Sequence, residues 1–337
     1  MSSPQKRGSS VKRRPVHGVL LLDKPIGLSS NQALQKAKWL LRAEKAGHTG
    51  TLDPLATGVL PLCFGAATKF SQMHLDADKA YIADVQLGAT TTTADAEGEV
   101  LETRPVPIFT QVELDAVAAK FLGEITQLPP MYSALKRDGK PLHDYARAGD
   151  PVERTPRCIT IHALTLAPLA DPSRIRLTVR CSKGTYVRTL GEDIGHALGC
   201  GAHLASLRRT HTGYFALGDT RAAYGTTTIA ELESMTEDAR LAALLPVEAL
   251  LQDADTLRLA PEQAGRFLSG VRLRTSDLPA EQSMPERSHL VAVWGDEPRA
   301  FLGSAHIEGG DLIPTRLLSP LEVAQSLVQS NACALAC

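Results

Sequence analysis

The chain has 337 residues, of which 43% are hydrophobic and 22% charged, with a net charge of -1, a composition typical of a folded protein with one large and one smaller domain. It excludes transmembrane helices, because no apolar run approaches the length of a membrane span, and a small disulfide-stabilised protein, because the six cysteines are scattered. Since the first fifteen residues are polar and basic without the apolar core of a secretory signal, we expect a flexible tail over residues 1–15 and a cytoplasmic protein with reduced cysteines.

The first regular elements are predicted to be a strand and then a helix. The apolar run from His17 to Pro25 ends in a proline and is typical of a buried strand that enters a turn. After it, Ser29 or Ser30 can cap a helix whose apolar residues recur at helical spacing, and Gly47 is the predicted end of this helix.

The next segment, GHTGTLDPLATGVLP over residues 47–61, holds two titratable residues, His48 and Asp53. Its Gly, Thr and Pro content is typical of a tight, partly buried loop. Asp53 followed by Pro54 is a good start for a helix, and from this dipeptide alone a structural N-cap is the favoured interpretation. His48 is interpreted in the same way as a hydrogen-bonded loop histidine. A catalytic carboxylate at Asp53 is the alternative that stays open.

The middle of the chain alternates strands and helices. A strand is predicted from Ala80 to Gly88 and a helix from Val112 to Gly123, and the Pro, Gly and basic residues of 125–152 predict an inserted lobe. From Arg174 to Cys181, apolar and basic residues alternate, which predicts a half-buried strand with a basic outer face. A turn then starts a helix with Tyr186 and Arg188 near its beginning. Mixed elements of this kind indicate an α/β or α+β fold with a mixed sheet.

The charge is divided unevenly along the chain. Residues 1–216 carry 27 Lys and Arg against 20 Asp and Glu, whereas residues 217–337 carry 9 against 17. Such a division allows a polyanion to bind the first part, although a solvated surface explains it equally well. We expect a first domain over residues 16–245, a small β-barrel over 246–325 built from short apolar strands, and a tail over 326–337.

Other kinds of site are disfavoured. His196, Cys200 and His203 lie close together, but no second Cys or His pair stands at zinc-finger spacing, so we expect no metal site. The segments GHTG and SKGT lack the phosphate-loop pattern, and the G-x-S-x-G nucleophile motif is absent.

The motifs resemble, in order, those of the TruB family of tRNA pseudouridine synthases. LDKPIGLSS is similar to the first motif of that family, GHTGTLDPLATGVLP to its catalytic-Asp motif, and DKAY to the motif with the active-site Tyr. CSKGTYVRTL and GCGAHLASLRR are similar to the next two, and ATKFSQ and PPMYSALK match as well. The resemblance covers roughly residues 16–215, and the chain after Pro246 is similar to the PUA-like RNA-binding module of the family.

The resemblance implies isomerisation of the uridine at position 55 in the T loop of tRNA to pseudouridine, without a cofactor. The base must leave its stack, detach from C1′, rotate and rejoin through C5. Asp53 is the implied nucleophile or base, Arg188 its partner, and Tyr81 the ring that stacks on the uracil and stands near C5 as a proton acceptor. A half-buried structural tyrosine is the alternative interpretation of Tyr81.

The resemblance also implies residues that bind the RNA. Tyr186 and Leu207 are expected to form walls of the pocket, and His48 to occupy the space that the extruded base leaves. Most charges of this kind on any protein are only solvated. The candidates for phosphate contacts are Lys24, Lys69, Lys136, Arg174, Arg176 and Arg180.

The expected partner is the T-arm stem-loop of tRNA, with no membrane, no obligate protein partner and a monomeric chain. Two alternatives remain: a non-catalytic RNA-binding or tRNA-folding protein on the same scaffold, and a synthase for another RNA, as in the dyskerin branch. Retention of Asp53, Tyr81 and Arg188 together favours an enzyme over the first alternative. The segment 129–152 favours a stand-alone tRNA enzyme over the second.

Overall fold

The computed structural model describes residues 12–133, 135–150, 152–218, 225–278 and 287–335. No helix among these residues combines the length and apolar content that crossing a bilayer requires. The strands are β1 (Gly18–Lys24), β2 (Ala46–His48), β3 (Ala56–Phe64), β4 (Lys79–Leu87), β5 (Ala89–Thr91), β6 (Val100–Thr103), β7 (Gly123–Gln127), β8 (Lys136–Arg137), β9 (Lys140–Pro141), β10 (Arg157–Pro168), β11 (Arg174–Cys181), β12 (Ala202–Thr212), β13 (Phe215–Ala216), β14 (Thr227–Thr228), β15 (Asp255–Leu259), β16 (Leu273–Arg274), β17 (Ser288–Gly295), β18 (Ala300–Glu308) and β19 (Asp311–Leu317). The helices are α1 (Ser30–Leu40), α2 (Ser71–Leu75), α3 (Gln111–Ala119), α4 (Leu142–Ala148), α5 (Val187–Ala197), α6 (Ile229–Ser234), α7 (Glu237–Ala242), α8 (Pro261–Leu268) and α9 (Pro320–Leu335).

A large mixed sheet forms the first part of the molecule, as the sequence predicted. Its main path runs β14-β1-β3-β12-β4-β11-β10-β7, with β2 and β13 paired at its side. β3 and β12 are parallel, whereas β12, β4, β11 and β10 are antiparallel neighbours. The loop before β3, the start of β4 and the end of β12 therefore meet at one place in the sheet.

Strand β11 shows why the alternation of residue types was informative. Ile175, Leu177, Val179 and Cys181 are buried, while the arginines between them are exposed, so one face packs on the core and the other meets water. Helix α5 packs on the same sheet through two glycines. A Cβ at Gly191 would lie 2.7 Å from Cδ2 of Leu204, and one at Gly195 would lie 2.3 Å from Cβ of Ala202. This close approach fixes where Arg188 stands.

Helix α1 begins as predicted but ends early. Ser29 caps it and forms a capping box with Gln32. The helix stops at Leu40, and Arg42 turns the chain in the left-handed region at φ 53°. Gly47 lies in β2, so its prediction as the helix end was wrong. The reason is tertiary: β2 pairs with β3, and residues 46–48 complete that edge.

Two other predicted boundaries, the end of α3 and the start of the inserted lobe, also differ from the structure. Helix α3 ends at Ala119, before the predicted Gly123, which instead opens β7. Residues 125–127, placed in the inserted lobe by the sequence, belong to β7 and pair with β10 in the main sheet. Of the predicted lobe, the described elements that stand apart from that sheet are β8, β9 and α4. Near the N-terminus, Arg13 donates to the carbonyl of Ala43 at 3.0 Å and Arg14 lies 2.7 Å from Glu237, so the described end of the predicted tail is attached to the folded chain.

The C-terminal part is a curled five-stranded sheet in the order β15-β17-β18-β19-β16, in agreement with the predicted barrel-like module. Helix α9 continues to Leu335, so the described part of the predicted 326–337 tail is helical. The two parts share a hydrophobic cluster in which Val19 and Phe70 meet Phe301 and Leu318. Since this cluster is buried, the second sheet is packed firmly on the first.

Candidate active site

A cavity of about 690 Å³ opens where the loop before β3 meets β4, β12 and the start of α5. Its volume suits a flipped nucleoside, since ligand pockets typically enclose several hundred Å³. Its charged and polar lining residues are Thr51, Asp53, Gln72, Lys79, Tyr81, Ser133, Arg157, Ser182, Thr185, Tyr186, Arg188 and Arg209.

Asp53 lies in this cavity and caps no helix. Its carbonyl accepts from the amide of Ala56 at 3.0 Å, which closes a turn that leads directly into β3. The N-cap interpretation was therefore wrong, because residues 56–64 are needed as a central strand. The side chain is 39% exposed, and its Oδ2 accepts from Nε of Arg188 at 2.9 Å.

Arg188 is held from several sides. Its side chain is 6% exposed, with Nη1 donating to the carbonyl of Thr93 at 2.9 Å and Nη2 to that of Tyr132 at 2.7 Å. Nη1 also lies 3.6 Å from Oδ2 of Asp95. With its donors directed by these contacts, the guanidinium cannot turn away from Asp53.

Asp95 is a site residue that the sequence interpretation missed. Its side chain is 4% exposed and accepts from Oγ1 of Thr93 at 2.5 Å and from the amide of Glu97 at 3.0 Å. The sequence signal was a polar turn, TTTADAEG, that contains one buried acid. Only the folded chain shows that this turn packs behind Arg188.

The electrostatics of Asp53 combine two opposed effects. Burial raises the pKa of the Asp53 carboxyl above its ordinary value, and the charge of Asp95 acts in the same direction. The Arg188 guanidinium opposes the rise, by its charge and by its hydrogen bond. The result is a carboxylate with a raised pKa that is aimed into the cavity.

The predicted aromatic and apolar walls lie in the cavity as well. Tyr81 is half-buried on β4, Tyr186 precedes α5, and Leu207 is buried on β12. The buried side chain of Gln127 holds the backbone of Tyr186, accepting from its amide at 3.0 Å and donating to its carbonyl at 3.3 Å. Gln127, a second residue missed from the sequence, thereby orients the start of α5.

Lys24 and Lys69 do not stand where phosphate contacts were expected. Lys24 is 0% exposed, and its ammonium donates to the carbonyls of Pro25, Leu28 and Pro54 at 2.9, 2.5 and 3.5 Å. Burial lowers the pKa of Lys24 to about 8. Lys69 faces the C-terminal part, 2.6 Å from Glu322. Nearby acceptors already occupy both ammonium groups, and their contacts with phosphate stay predictions.

The other predicted contacts differ in their surroundings. His48 is half-buried at the far end of the loop and lies outside the lining of the cavity, and burial lowers the pKa of its imidazole. Arg176 and Arg180 are exposed but paired, at 2.9 Å from Asp84 and 3.4 Å from Asp78. Arg174 donates from Nε to Oε1 of Gln86 at 2.8 Å. The side chain of Lys136 is outside the described residues.

The three residues considered for zinc form no ligand set. Nδ1 of His203 donates to the carbonyl of Ala89 at 2.9 Å, and Cys200 is buried. Within the described ranges, no three His, Cys, Asp or Glu side chains are grouped so that they could hold a metal ion.

The chain matches three family descriptions along its length. Residues 38–187 match the TruB family pseudouridylate synthase N-terminal domain, residues 188–252 the tRNA pseudouridylate synthase B C-terminal domain, and residues 256–318 the C-terminal domain of pseudouridine synthase II TruB.

Similar proteins carry the same family name. A protein of Cupriavidus metallidurans named tRNA pseudouridine synthase B is 56% identical over 94% of this chain and 98% of its own length. One of Ralstonia nicotianae with that name is 56% identical over 91% and 95%. An H/ACA ribonucleoprotein bound to a substrate RNA containing 2′-deoxyuridine has a chain of similar fold, with a TM-score of 0.66, 23% identity and coverage of 90% and 86%.

Proposed function

Since this chain belongs to the TruB family of pseudouridylate synthases, we propose that it isomerises the uridine at position 55 in the T loop of tRNA to pseudouridine. The identity of 56% to proteins named tRNA pseudouridine synthase B supports tRNA as the substrate. The T-arm stem-loop is then the part of the tRNA that the enzyme binds.

The observation that carries the proposal is the ion pair of Asp53 and Arg188 in a nucleoside-sized cavity. A carboxylate that is fixed but still 39% exposed can reach a bound ribose. Its raised pKa makes it a better nucleophile and a better base than an ordinary aspartate, provided that it is ionised.

Two paths are compatible with this group. In one, the Asp53 carboxylate attacks C1′ and forms a sugar ester while the uracil leaves. In the other, it removes the proton at C2′ and a glycal forms. In both paths the cavity holds the detached base, and Tyr81, Tyr186 and Leu207 offer it aromatic and apolar surfaces.

The base has to leave its stack to reach Asp53, because the carboxylate lies inside the cavity and not on an open surface. His48, at the edge of the loop, stays the candidate for the space that the base leaves. Arg157, exposed and part of the cavity lining, is a further candidate for contact with a phosphate beside the target nucleotide.

The C-terminal sheet is proposed to add RNA-binding surface, and a tRNA-folding role is compatible with it. An RNA-guided synthase is the second candidate, favoured by the fold likeness to an H/ACA ribonucleoprotein chain. The identity of 23% to that chain, against 56% to the tRNA synthases, argues for the stand-alone enzyme.

The test uses an unmodified T-arm hairpin whose uridines carry tritium at C5. The purified chain alone is expected to release label into water from one uridine of the loop. Release from no position, or only after a guide RNA is added, contradicts the proposal.

A further inference from the structure

A buried guanidinium without a carboxylate partner lies in the wall of the cavity. Arg209 is 1% exposed; its Nε donates to the carbonyl of Val59 at 2.7 Å, and Nη1 reaches that of Thr51 at 3.5 Å. Its Nη2 is buried and has no hydrogen-bond partner among the described residues. An uncompensated buried cation is costly, and it strongly favours any negative charge that forms beside it.

The group beside Arg209 is the Tyr81 hydroxyl. The two residues are direct partners in the pairing of β12 with β4, so their side chains share one face of the sheet. Both side chains line the cavity, and the positive charge of Arg209 lowers the pKa of the Tyr81 hydroxyl. On the other side of Arg209, Gly58 of β3 allows the backbones to meet, since a Cβ there would lie 2.1 Å from the Arg209 carbonyl oxygen.

The charges of the two arginines are balanced differently. Arg188 has Asp53 and Asp95 as anionic partners, whereas Arg209 has none among the described residues. The cavity therefore holds a surplus positive charge directed at a phenol.

We propose that Arg209 is the positioning residue of Tyr81: it holds the hydroxyl in place and stabilises the phenolate, so that Tyr81 removes the proton from C5 of the rotated uracil. This inference rests on the proposed function.

Once C5 is bonded to C1′, it still carries its hydrogen, and N1 is doubly bonded to C6. The Tyr81 phenolate takes the C5 proton, the C5–H electron pair becomes the C5=C6 double bond, and the C6=N1 pair moves onto N1, which takes a proton from water. Tyr81 then returns its proton to solvent, and Arg209 stays charged throughout.

Two effects act on the pKa of Tyr81: burial disfavours the phenolate, and the charge of Arg209 favours it. Burial raises the pKa of Tyr81, and Arg209 is the largest influence in the opposite direction. Removing Arg209 must therefore raise this pKa further. The other charged and titratable groups around the pair are Asp53 and Arg188, Cys181 of β11, Lys79 of β4, His74 of α2, His48 of β2 and Lys24 of β1.

The experiment measures single-turnover conversion of the T-arm hairpin with hydrogen or deuterium at C5, as a function of pH. For Arg209→Met we expect conversion about 10²-fold slower, the scale of general-base catalysis. We also expect a larger C5 isotope effect than in the wild type and a pH profile moved to higher pH. Arg209→Lys is expected to recover part of the rate and of the shift.

Arg208→Met is the matched control. This neighbouring arginine points away from the cavity and pairs with Asp23 at 2.7 Å, so its loss removes the same charge without touching Tyr81. It is expected to leave the isotope effect and the pH profile unchanged. Thermal melting reports whether each variant is folded. If Arg209→Met does not fold, the rate, isotope effect and pH profile are measured on Arg209→Lys instead.

The double variant Tyr81→Phe, Arg209→Met distinguishes two roles of Arg209. One is positioning of Tyr81, and the other is structural support of the loop at Thr51. If Arg209 acts through Tyr81, its removal changes neither isotope effect nor pH profile in the Tyr81→Phe background. Equal slowing in both backgrounds with an unchanged isotope effect would overturn the inference while leaving the enzyme a synthase. A wild-type chain that converts no hairpin would overturn the proposed function and the inference with it.

Discussion

Nε of Arg188 donates to Oδ2 of Asp53 at 2.9 Å and so joins the start of α5 to the loop before β3. Asp53 makes this contact in place of the helix cap that its dipeptide with Pro54 predicts. The contact explains how a partly exposed carboxylate can keep a fixed direction.

The first prediction concerns Asp53 itself. Asp53→Asn is expected to fold, bind the T-arm hairpin and release no detectable tritium, because an amide cannot act as an anionic nucleophile or base. Asp53→Ala should lose activity in the same way without the cost of about 1 kcal/mol that the loss of an N-cap brings. Denaturant unfolding measures the stability, and a folded Asn variant with near wild-type turnover would refute the catalytic role.

The second prediction is a pH dependence with a definite sign. Activity requires ionised Asp53 and is lost as the pH falls through its pKa, which burial raises. The acid limb of single-turnover kinetics should therefore lie above the ordinary aspartate value of about 4. An acid limb below that value would contradict a catalytic carboxylate whose pKa is raised.

Two substitutions should move this acid limb in opposite directions. Asp95→Asn removes a charge that raises the pKa of Asp53, so the limb moves to lower pH. Arg188→Met removes a charge that lowers it, so the limb moves to higher pH. Both variants should also be slower, by about 10²-fold, because Asp53 is less well positioned. Shifts of the same sign in both variants would exclude this electrostatic account.

The third prediction distinguishes Lys24 from a phosphate ligand. Lys24→Met leaves buried carbonyls of Pro25, Leu28 and Pro54 without their donor, which should lower the free energy of unfolding by about 1 to 3 kcal/mol. Lys36→Met, at an exposed pair with Glu233, should change it by about 0.5 kcal/mol or less. A Lys24 variant of normal stability with a reduced salt dependence of tRNA binding would restore the phosphate interpretation.

The fourth prediction compares two arginines in tRNA binding. Arg157 lines the cavity, so Arg157→Met should weaken binding and reduce the slope of log K against log salt by about 1. Arg176 is 2.9 Å from Asp84, which offsets its charge, so Arg176→Met should change the slope less. Filter binding over a range of salt concentrations measures both. Equal slopes for the two variants would speak against Arg157 as a phosphate ligand.

The fifth prediction addresses metal ions. Because the proposed steps use only Asp53 and its neighbours, exhaustive chelation should leave tritium release unchanged. Loss of turnover that returns with zinc would require a new interpretation of His196, Cys200 and His203.

Local patterns in the sequence were enough for much of the fold. The alternation in residues 174–181 predicted the bounds of β11, and the choice of Ser29 or Ser30 as cap predicted the start of α1, because a strand face and an N-cap depend on neighbouring residues. The resemblance of several short motifs likewise led to the family and to Asp53, Tyr81 and Arg188 as candidates, and the structure brings these three into one cavity.

Tertiary structure alone decided the rest, because the partners are distant along the chain. Gly47 does not end a helix and Asp53 does not cap one, because β2 and β3 pair with each other in the main sheet. The ammonium of Lys24 donates to the carbonyl of Pro54, that of Lys69 lies 2.6 Å from Glu322, and Asp95 lies behind Arg188. Which charges are buried, and which ones face each other, depends on strand pairing over long separations, and no local pattern encodes it.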